Sequence, residues 1–247
     1  MLFQGFRSGD AETGIGPIRH VIGGDGPPVL LLHGHPQTHA MWHRVAPMLA
    51  RDFTVVAADL RGYGDSAKPP GDEAHATYSK RAMAQDQVEL MAGLGFERFA
   101  LVGHDRGARV GHRLCLDHAD RVTAFAALDI LPTRTMFQSI GKAWAMPYYH
   151  WFFLAQPFDL PERLIQANPE FYLRWHMERR QPTKASIFHP EAMAEYLRCY
   201  LLPGTIHAIC EDYRAAASID LEHDEADLDR RIDCPMLALW GANGVVG

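Results

Sequence analysis

The sequence predicts an α/β protein with a mostly parallel, doubly wound sheet and an inserted helical cap. Three observations lead to this fold class. Short apolar runs alternate with helical periods along the first half of the chain. When a helix connects each strand to the next, the chain crosses back before the next strand begins, so that neighbouring strands run parallel. A long, mostly helical segment then separates the fourth predicted strand from the fifth.

The predicted elements follow one another in a regular order. Apolar or β-branched runs typical of buried strands lie at residues 28–32, 53–58, 99–102, 122–128 and 236–240. Helical periods lie between the first four of these runs, at residues 41–49, 79–94 and 108–118. Residues 131–229 are rich in aromatic side chains and repeatedly interrupted by proline. We therefore predict a core formed by residues 1–130 and 230–247, with a helical cap at 131–229.

The composition is that of an ordinary globular protein. The 247 residues include 47% hydrophobic and 22% charged side chains, which suffices for one large core. The net charge of −6 comes without a basic run, so we expect no binding to nucleic acid or to an anionic membrane. The N-terminus lacks the long apolar region of a secretory signal, and a cytoplasmic location is expected.

A motif between the third strand and its following helix indicates a nucleophile. Residues 103–107, Gly-His-Asp-Arg-Gly, have the Gly-x-nucleophile-x-Gly pattern of a strand-to-helix elbow, where glycines permit a strained turn. A His-Gly-x-Pro loop upstream, at residues 33–36, supports this interpretation. Asp105 is then the nucleophile. The alternative is that Asp105 only caps the helix, a common role for aspartate at this position.

An aspartate in the elbow has a specific chemistry. A carboxylate attacks a saturated carbon and forms an ester that water must cleave, whereas serine suits acyl transfer. Asp105 therefore indicates alkyl transfer from a halide or an epoxide. Hydrolysis of the ester develops negative charge on the same carboxylate, which requires preorganised backbone donors. The backbone amides of Arg106 and His35 are the predicted donors.

Four segments of the chain resemble haloacetate (fluoroacetate) dehalogenases of the α/β-hydrolase superfamily. They are residues 33–38, 59–66, 103–109 and 128–133. The first two are shared with epoxide hydrolases, and the Asp-Arg-Gly-x-Arg motif is more specific. The resemblance implies the α/β-hydrolase fold and hydrolysis of fluoroacetate or chloroacetate to glycolate and halide. It implies in-line attack by Asp105 and an aspartyl-ester intermediate, with no cofactor or metal.

The resemblance also implies roles for the side chains around the nucleophile. Arg106 and Arg109 would hold the substrate carboxylate, and their spacing at a helix start lets them converge on one anion. Surface salt bridges are the alternative for this pair. Asp129 matches the acid that orients the catalytic base. A carboxylate that caps a loop is the alternative for Asp129.

Hydrogen-bond donors to the departing halide are implied for His150, Trp151 and Tyr213. Without the resemblance, His150 and Trp151 would be assigned to the core of the cap, because they lie in an aromatic run. Fluoride is strongly hydrated, so several donors must replace its water. His35 is a departure from the family, where phenylalanine is common, and it places a polar ring beside the substrate.

The family continues to a Gly-His pair that carries the catalytic base, and the present sequence ends before that pair. We expect His104 beneath the elbow, His33 and His35 in the oxyanion loop and His150 in the cap, so that none of them replaces the base. The sequence is therefore expected to be incomplete at its C-terminus.

Two other functions remain open at this point. An epoxide hydrolase would use the same aspartate with two cap tyrosines, for which Tyr148, Tyr149 and Tyr213 are candidates, but it would leave the paired arginines without a role. A non-catalytic binding protein would need no base, although the intact elbow argues against it. The expected partner is a small haloacid. Dimers are common in this family, and the sequence leaves the oligomeric state open.

Overall fold

The computed structural model describes residues 2–179 and 186–242. In these ranges the chain forms a seven-stranded sheet with the order β1-β2-β4-β3-β5-β6-β7. The strands are Arg7–Thr13 (β1), Gly16–Gly23 (β2), Pro28–Leu32 (β3), Thr54–Ala58 (β4), Phe99–His104 (β5), Val122–Leu128 (β6) and Met236–Leu239 (β7). Strands β3 to β7 pair in parallel, which confirms the predicted fold class.

The first two strands form an antiparallel hairpin that the sequence analysis did not predict. β1 pairs with β2, and β2 joins the rest of the sheet through antiparallel pairing with β4. β1 is an edge strand of mostly polar, largely exposed residues, so it lacks the apolar alternation of a typical strand. The turn is tight, because Thr13 pairs with Gly16, and Gly16 adopts a φ of 115° that favours glycine.

The helices of the first half lie close to their predicted positions. α2 spans Lys80–Gly93 and α3 spans Arg106–Asp117. The predicted helix at 41–49 is instead a 3-10 helix, His39–Arg44, followed by the short α1, Ala46–Leu49. Pro47 lies in the first turn of α1, where its missing amide is tolerated, and it cannot continue a helix from the preceding residues.

The register of the parallel strands brings three loops to one edge of the sheet. Leu32 of β3 pairs with Gly103 of β5, and His104 of β5 pairs with Leu128 of β6. The segments that follow these strands therefore begin side by side. Ligands bind at this carboxyl edge in open α/β sheets.

Between β6 and β7, every regular element in the described residues is a helix. They are α4 (Thr133–Gln138), α5 (Lys142–Ala145), α6 (His150–Leu154), α7 (Leu160–Gln166), α8 (Pro169–Glu178), α9 (Pro190–Tyr200), α10 (Thr205–Ala216) and α11 (Ile219–Ala226). The domain boundaries at 131 and 229 stay a prediction. Within the described part of the chain, no helix combines the length and the apolar character needed to cross a membrane.

Candidate active site

Asp105 occupies a strained turn between β5 and α3. Its φ is 49° and its ψ is −116°, a conformation that few non-glycine residues adopt. A Cβ atom on Gly103 would lie 2.6 Å from the Cα of Ala108, and one on Gly107 would lie 2.5 Å from the carbonyl oxygen of His33. Only glycine fits at these two positions. The side chain of Asp105 makes no capping hydrogen bond to α3, so the alternative role as a helix cap is wrong.

The loop after β3 packs directly against this turn. A Cβ atom on Gly34 would lie 2.4 Å from the Cβ of Asp105, so the loop can approach only because Gly34 has no side chain. The backbone amide of His35 donates a hydrogen bond to Oδ1 of Asp105 at 2.9 Å. Arg106 is the first residue of α3, where backbone amides have no partner inside the helix. The His35 amide thus contacts the carboxylate, and the Arg106 amide stays a predicted donor.

The carboxylate of Asp105 faces a cavity of about 270 Å³. Six of the predicted site residues line this cavity, namely His35, Asp105, Arg109, Asp129, His150 and Tyr213. Asp129 follows β6 directly and, like Asp105, has a positive φ, of 55°. Arg106 and Trp151 are not among the described lining residues and pack behind Tyr213.

The environment of Asp105 favours the ionised nucleophile. Burial raises the pKa of the Asp105 carboxyl, but the charges of Arg109 and Arg106 and the amide of His35 hold this pKa well below its usual range. The Nη1 atom of Arg109 lies 3.4 Å from Oδ2 of Asp105. The carboxylate is therefore an anion across the ordinary range of pH.

The two arginines of the motif lie close together behind and beside the nucleophile. Their guanidinium carbons lie 5.1 Å (Arg106) and 4.7 Å (Arg109) from the centre of the Trp151 ring. Nε of Arg106 is 3.2 Å from Oδ2 of Asp212, which balances one positive charge. Neither terminal nitrogen of Arg106 has a hydrogen-bond partner among the described residues. Such buried, unpaired donors are suited to an anionic ligand.

Segment 59–66, one of the four that carry the family resemblance, supports the site from behind and is not among the described residues that line the cavity. Oδ1 of Asp59 accepts hydrogen bonds from the backbone amide and from Nδ1 of His39, at 2.6 and 2.9 Å. The hydroxyl of Tyr63 donates to Oδ2 of Asp212 at 2.6 Å. Lys80 also pairs with Asp212. The segment therefore holds Asp212, and through it Arg106, in place.

Tyr213 and His150 present polar atoms to the cavity from the helical segment. The Tyr213 ring stacks under the guanidinium of Arg106 at 3.6 Å, and burial raises the pKa of Tyr213, so its hydroxyl keeps its proton. Burial lowers the pKa of His150 well below its ordinary value, so this ring is neutral at neutral pH. A neutral imidazole and a phenol can each donate one hydrogen bond to a halide.

Two histidines stand where the sequence analysis did not place them. His104 lines the cavity beside Asp105, and the expectation that it lies beneath the elbow is wrong. It is the last residue of β5, where alternate side chains leave the buried face. His176 of α8 also lines the cavity, with its ring 4.9 Å from that of His35 and 4.6 Å from that of His150. No motif signals His176, because only helix packing brings it to the site.

One group in the described residues has the spacing of metal ligands, and it lies away from the cavity. It consists of Asp65, Glu195 and Cys199. Arg198 pairs with Asp65 at 2.6 Å and with Glu195 at 2.7 Å, so its guanidinium offsets one of their two negative charges. This group is a surface salt-bridge cluster.

Acid should destabilise the protein through His35. Burial lowers the pKa of His35 to about 3 in the folded protein, whereas an unfolded histidine titrates near 6.5. The unfolded state binds more protons between these values, so the free energy of unfolding falls as the pH falls from 6.5 towards 3. When the pH is lowered from about 7.5 to about 5, this single ring should reduce the free energy of unfolding by about 2 kcal/mol.

Urea unfolding at the two pH values measures this contribution. His35→Phe has no titrating ring, so the variant should lose about 2 kcal/mol less than the original protein between about pH 7.5 and about pH 5. The same loss in both proteins would show that His35 does not enter the pH dependence.

Comparisons with known proteins show the family of the chain. A family model for the alpha/beta hydrolase fold matches residues 27–244. A fluoroacetate dehalogenase from Burkholderia sp is 50% identical over 245 residues, which make up 99% of this chain and 81% of that relative. A soluble epoxide hydrolase from Corynebacterium sp. (strain C12) is 34% identical over 235 residues, covering 93% of this chain and 79% of that relative.

A solved structure gives the same result for the fold. A protein of the α/β hydrolase class from Nostoc sp PCC 7120 superposes with a TM-score of 0.96 at 57% identity. The superposition covers 100% of this chain and 84% of that chain. The match therefore includes the helical segment as well as the sheet.

Proposed function

The chain belongs to the α/β hydrolase fold family, which confirms the resemblance of its motifs to that superfamily, and we propose that it hydrolyses haloacetates to glycolate and halide. The proposed substrate partner is a small haloacid such as fluoroacetate or chloroacetate. The 50% identity to a fluoroacetate dehalogenase over nearly the whole chain supports this assignment.

One observation carries the proposal: an ionised aspartate and a buried arginine lie side by side in the cavity. Nη1 of Arg109 lies 3.4 Å from Asp105, and Arg109 is 4% exposed. An arginine next to a nucleophilic carboxylate can hold a second carboxylate with its remaining donors. A substrate whose carboxylate is bonded directly to its reactive carbon fits this arrangement.

The first chemical step is displacement of the halide. An oxygen of Asp105 attacks the halogen-bearing carbon, the new carbon–oxygen bond forms, and the bonding pair of the carbon–halogen bond leaves with the halide. Arg109 and Arg106 would hold the substrate carboxylate. His150 and Tyr213, with Trp151 behind them, are the proposed donors to the halide.

The second step is hydrolysis of the aspartyl ester. Water adds to the carboxyl carbon of Asp105, and the negative charge that develops on its oxygen is stabilised by the backbone amides of His35 and Arg106. Glycolate then leaves with the proton that the water gives up. Asp129 lines the same cavity and is the proposed acid that orients the base of this step.

Epoxide hydrolysis is the second candidate, and a specific observation favours it. Tyr148 and Tyr213 both line the cavity, and two tyrosines can protonate an epoxide oxygen. A soluble epoxide hydrolase is also among the relatives. Against this candidate, Tyr213 is stacked on Arg106, and the two buried arginines have no role with a neutral substrate.

Parallel assays separate the two candidates. The purified protein is incubated with fluoroacetate, with chloroacetate and with styrene oxide, and halide ion, glycolate and diol are measured. We expect halide release from both haloacetates and no diol. Diol formation without halide release would replace the proposed function with epoxide hydrolysis, and no product from any of the three would favour a binding protein.

A further inference from the structure

The side chain of His35 has no assigned role, although it lines the cavity. It is 8% exposed and lines the cavity that Asp105 faces. Both of its ring nitrogens are buried and have no hydrogen-bond partner among the described residues. Its ring lies 5.2 Å from that of Tyr213 and 6.0 Å from that of His150. The unpaired ring thus lies next to Tyr213 and His150, the two cavity-lining side chains that are proposed to donate hydrogen bonds to the halide.

A buried polar ring without partners has a cost that a ligand can remove. Buried polar atoms in native proteins nearly always have a partner, and an unpaired one destabilises the fold. The backbone of His35 is fixed at the nucleophile by the bond from its amide to Oδ1 of Asp105. The ring is therefore held at a constant place relative to the reacting atoms. A small ligand between Asp105, Tyr213 and His150 is the group that it can reach.

The protonation state of the ring suits hydrogen bonding to a leaving anion. Burial lowers the pKa of His35 to about 3, so the ring is neutral at neutral pH and keeps one N–H donor. Arg106 and Arg179, whose charges lower the pKa further, already supply positive charge to this region. A neutral donor adds a hydrogen bond without adding another buried charge.

We propose that the ring N–H of His35 donates a hydrogen bond to the departing halide and so contributes to selectivity for fluoride over chloride. The proposal rests on the haloacetate hydrolysis proposed above. In the displacement step, the halide gains the electron pair of its bond to carbon, and the proton of His35 stays on nitrogen and only shares its hydrogen bond. His176, 4.9 Å from His35, packs against the ring and helps to hold its orientation.

Fluoride benefits more from this donor than chloride does. Fluoride is small and strongly hydrated, so its departure depends on groups that replace water. Chloride spreads its charge over a larger volume and requires less help. Loss of one donor among several should therefore reduce defluorination more than dechlorination.

The test compares three variants on two substrates. His35→Phe removes the donor and keeps an aromatic ring, and its backbone amide still reaches Asp105. We expect the first-turnover rate of halide release to fall by about tenfold with fluoroacetate and by less than about twofold with chloroacetate. Tyr213→Phe should shift the ratio of the two rates in the same direction, because it also removes one donor. His35→Gln keeps a neutral N–H and should restore part of the defluorination rate.

A matched control tests whether the effect depends on the cavity or follows from any replacement of histidine by phenylalanine. His43 lies outside the cavity, with Nδ1 bonded to the carbonyl oxygen of Ala40 at 2.9 Å. His43→Phe should leave the fluoride-to-chloride ratio unchanged. Thermal unfolding of each variant shows whether it is folded, and His35→Gln keeps the test valid if His35→Phe does not fold.

The outcomes are distinct. Equal losses with both substrates, or no loss with either, in the folded His35 variants would overturn the role of His35 while haloacetate hydrolysis stands. Absence of halide release by the original protein would overturn the proposed function, and the role of His35 with it. A selective loss of defluorination in His35→Phe, partly restored in His35→Gln, supports the proposal.

Discussion

Asp105→Asn should abolish halide release from fluoroacetate and chloroacetate, with a loss of at least about a thousandfold in kcat. Asparagine keeps the shape of the side chain and the hydrogen bond from the His35 amide, but its neutral amide cannot displace a halide. The elbow itself depends on Gly103 and Gly107, which the variant leaves in place. Ion-selective measurement of fluoride and chloride gives the result.

The control for this variant is a second aspartate close by in the chain. The side chain of Asp120 is 79% exposed and lies outside the cavity. Asp120→Asn should release halide at the original rate. If Asp105→Asn kept more than a few per cent of the activity after deamidation had been excluded by mass spectrometry, another group would have to be the nucleophile.

Arg109→Lys should reduce kcat/KM for both haloacetates by about a hundredfold, because lysine keeps the charge but loses the planar fork of donors. In the structure, Nη1 of Arg109 lies 3.4 Å from Asp105, and the guanidinium stacks beside Trp151. The ammonium group of a lysine cannot keep both contacts and also bind a carboxylate, because it lacks the planar set of donors. The loss of kcat/KM should be equal for fluoroacetate and chloroacetate, since both substrates carry the carboxylate. Initial rates over a range of substrate concentrations measure it.

The same substitution elsewhere serves as the control. Arg121 pairs with Asp120 at 3.4 Å, away from the cavity, and Arg121→Lys should leave both rates unchanged. Unchanged kinetics in Arg109→Lys would remove Arg109 from the carboxylate site. A loss confined to fluoroacetate would instead indicate that Arg109 acts on the leaving group.

The parallel part of the sheet was predictable because its strands are short apolar runs that end at glycine, proline or aspartate. β6 spans Val122–Leu128, as predicted, and β5 extends two residues beyond its predicted end, to His104. The N-terminal hairpin was missed, since β1 is polar and exposed. The position of Asp105 followed from the elbow motif, because glycine is required by close contacts that the local sequence already encodes.

The part of the site that comes from the helical segment was less accessible to sequence analysis. His176 enters the cavity through the packing of α8, and no local pattern fixes that packing. Asp212 could not be matched with Arg106 from spacing, as the two are far apart in the chain. His150 was assigned only through the family resemblance, since an aromatic run by itself indicates core, and Tyr213 was assigned in the same way because no local motif marks it. Trp151 was assigned in the same way, and it packs behind the cavity.

If the substrate becomes covalently attached to Asp105, mass spectrometry of the peptide that contains Asp105 should detect the attachment. The protein is incubated with fluoroacetate in heavy-oxygen water, quenched and digested. We expect a carboxymethyl adduct on Asp105 where the ester accumulates, or heavy oxygen in its carboxylate where the ester is hydrolysed. Fluoride release with neither adduct nor heavy oxygen on that peptide, and with heavy oxygen directly in glycolate, would show that Asp105 forms no ester and that water attacks the substrate itself.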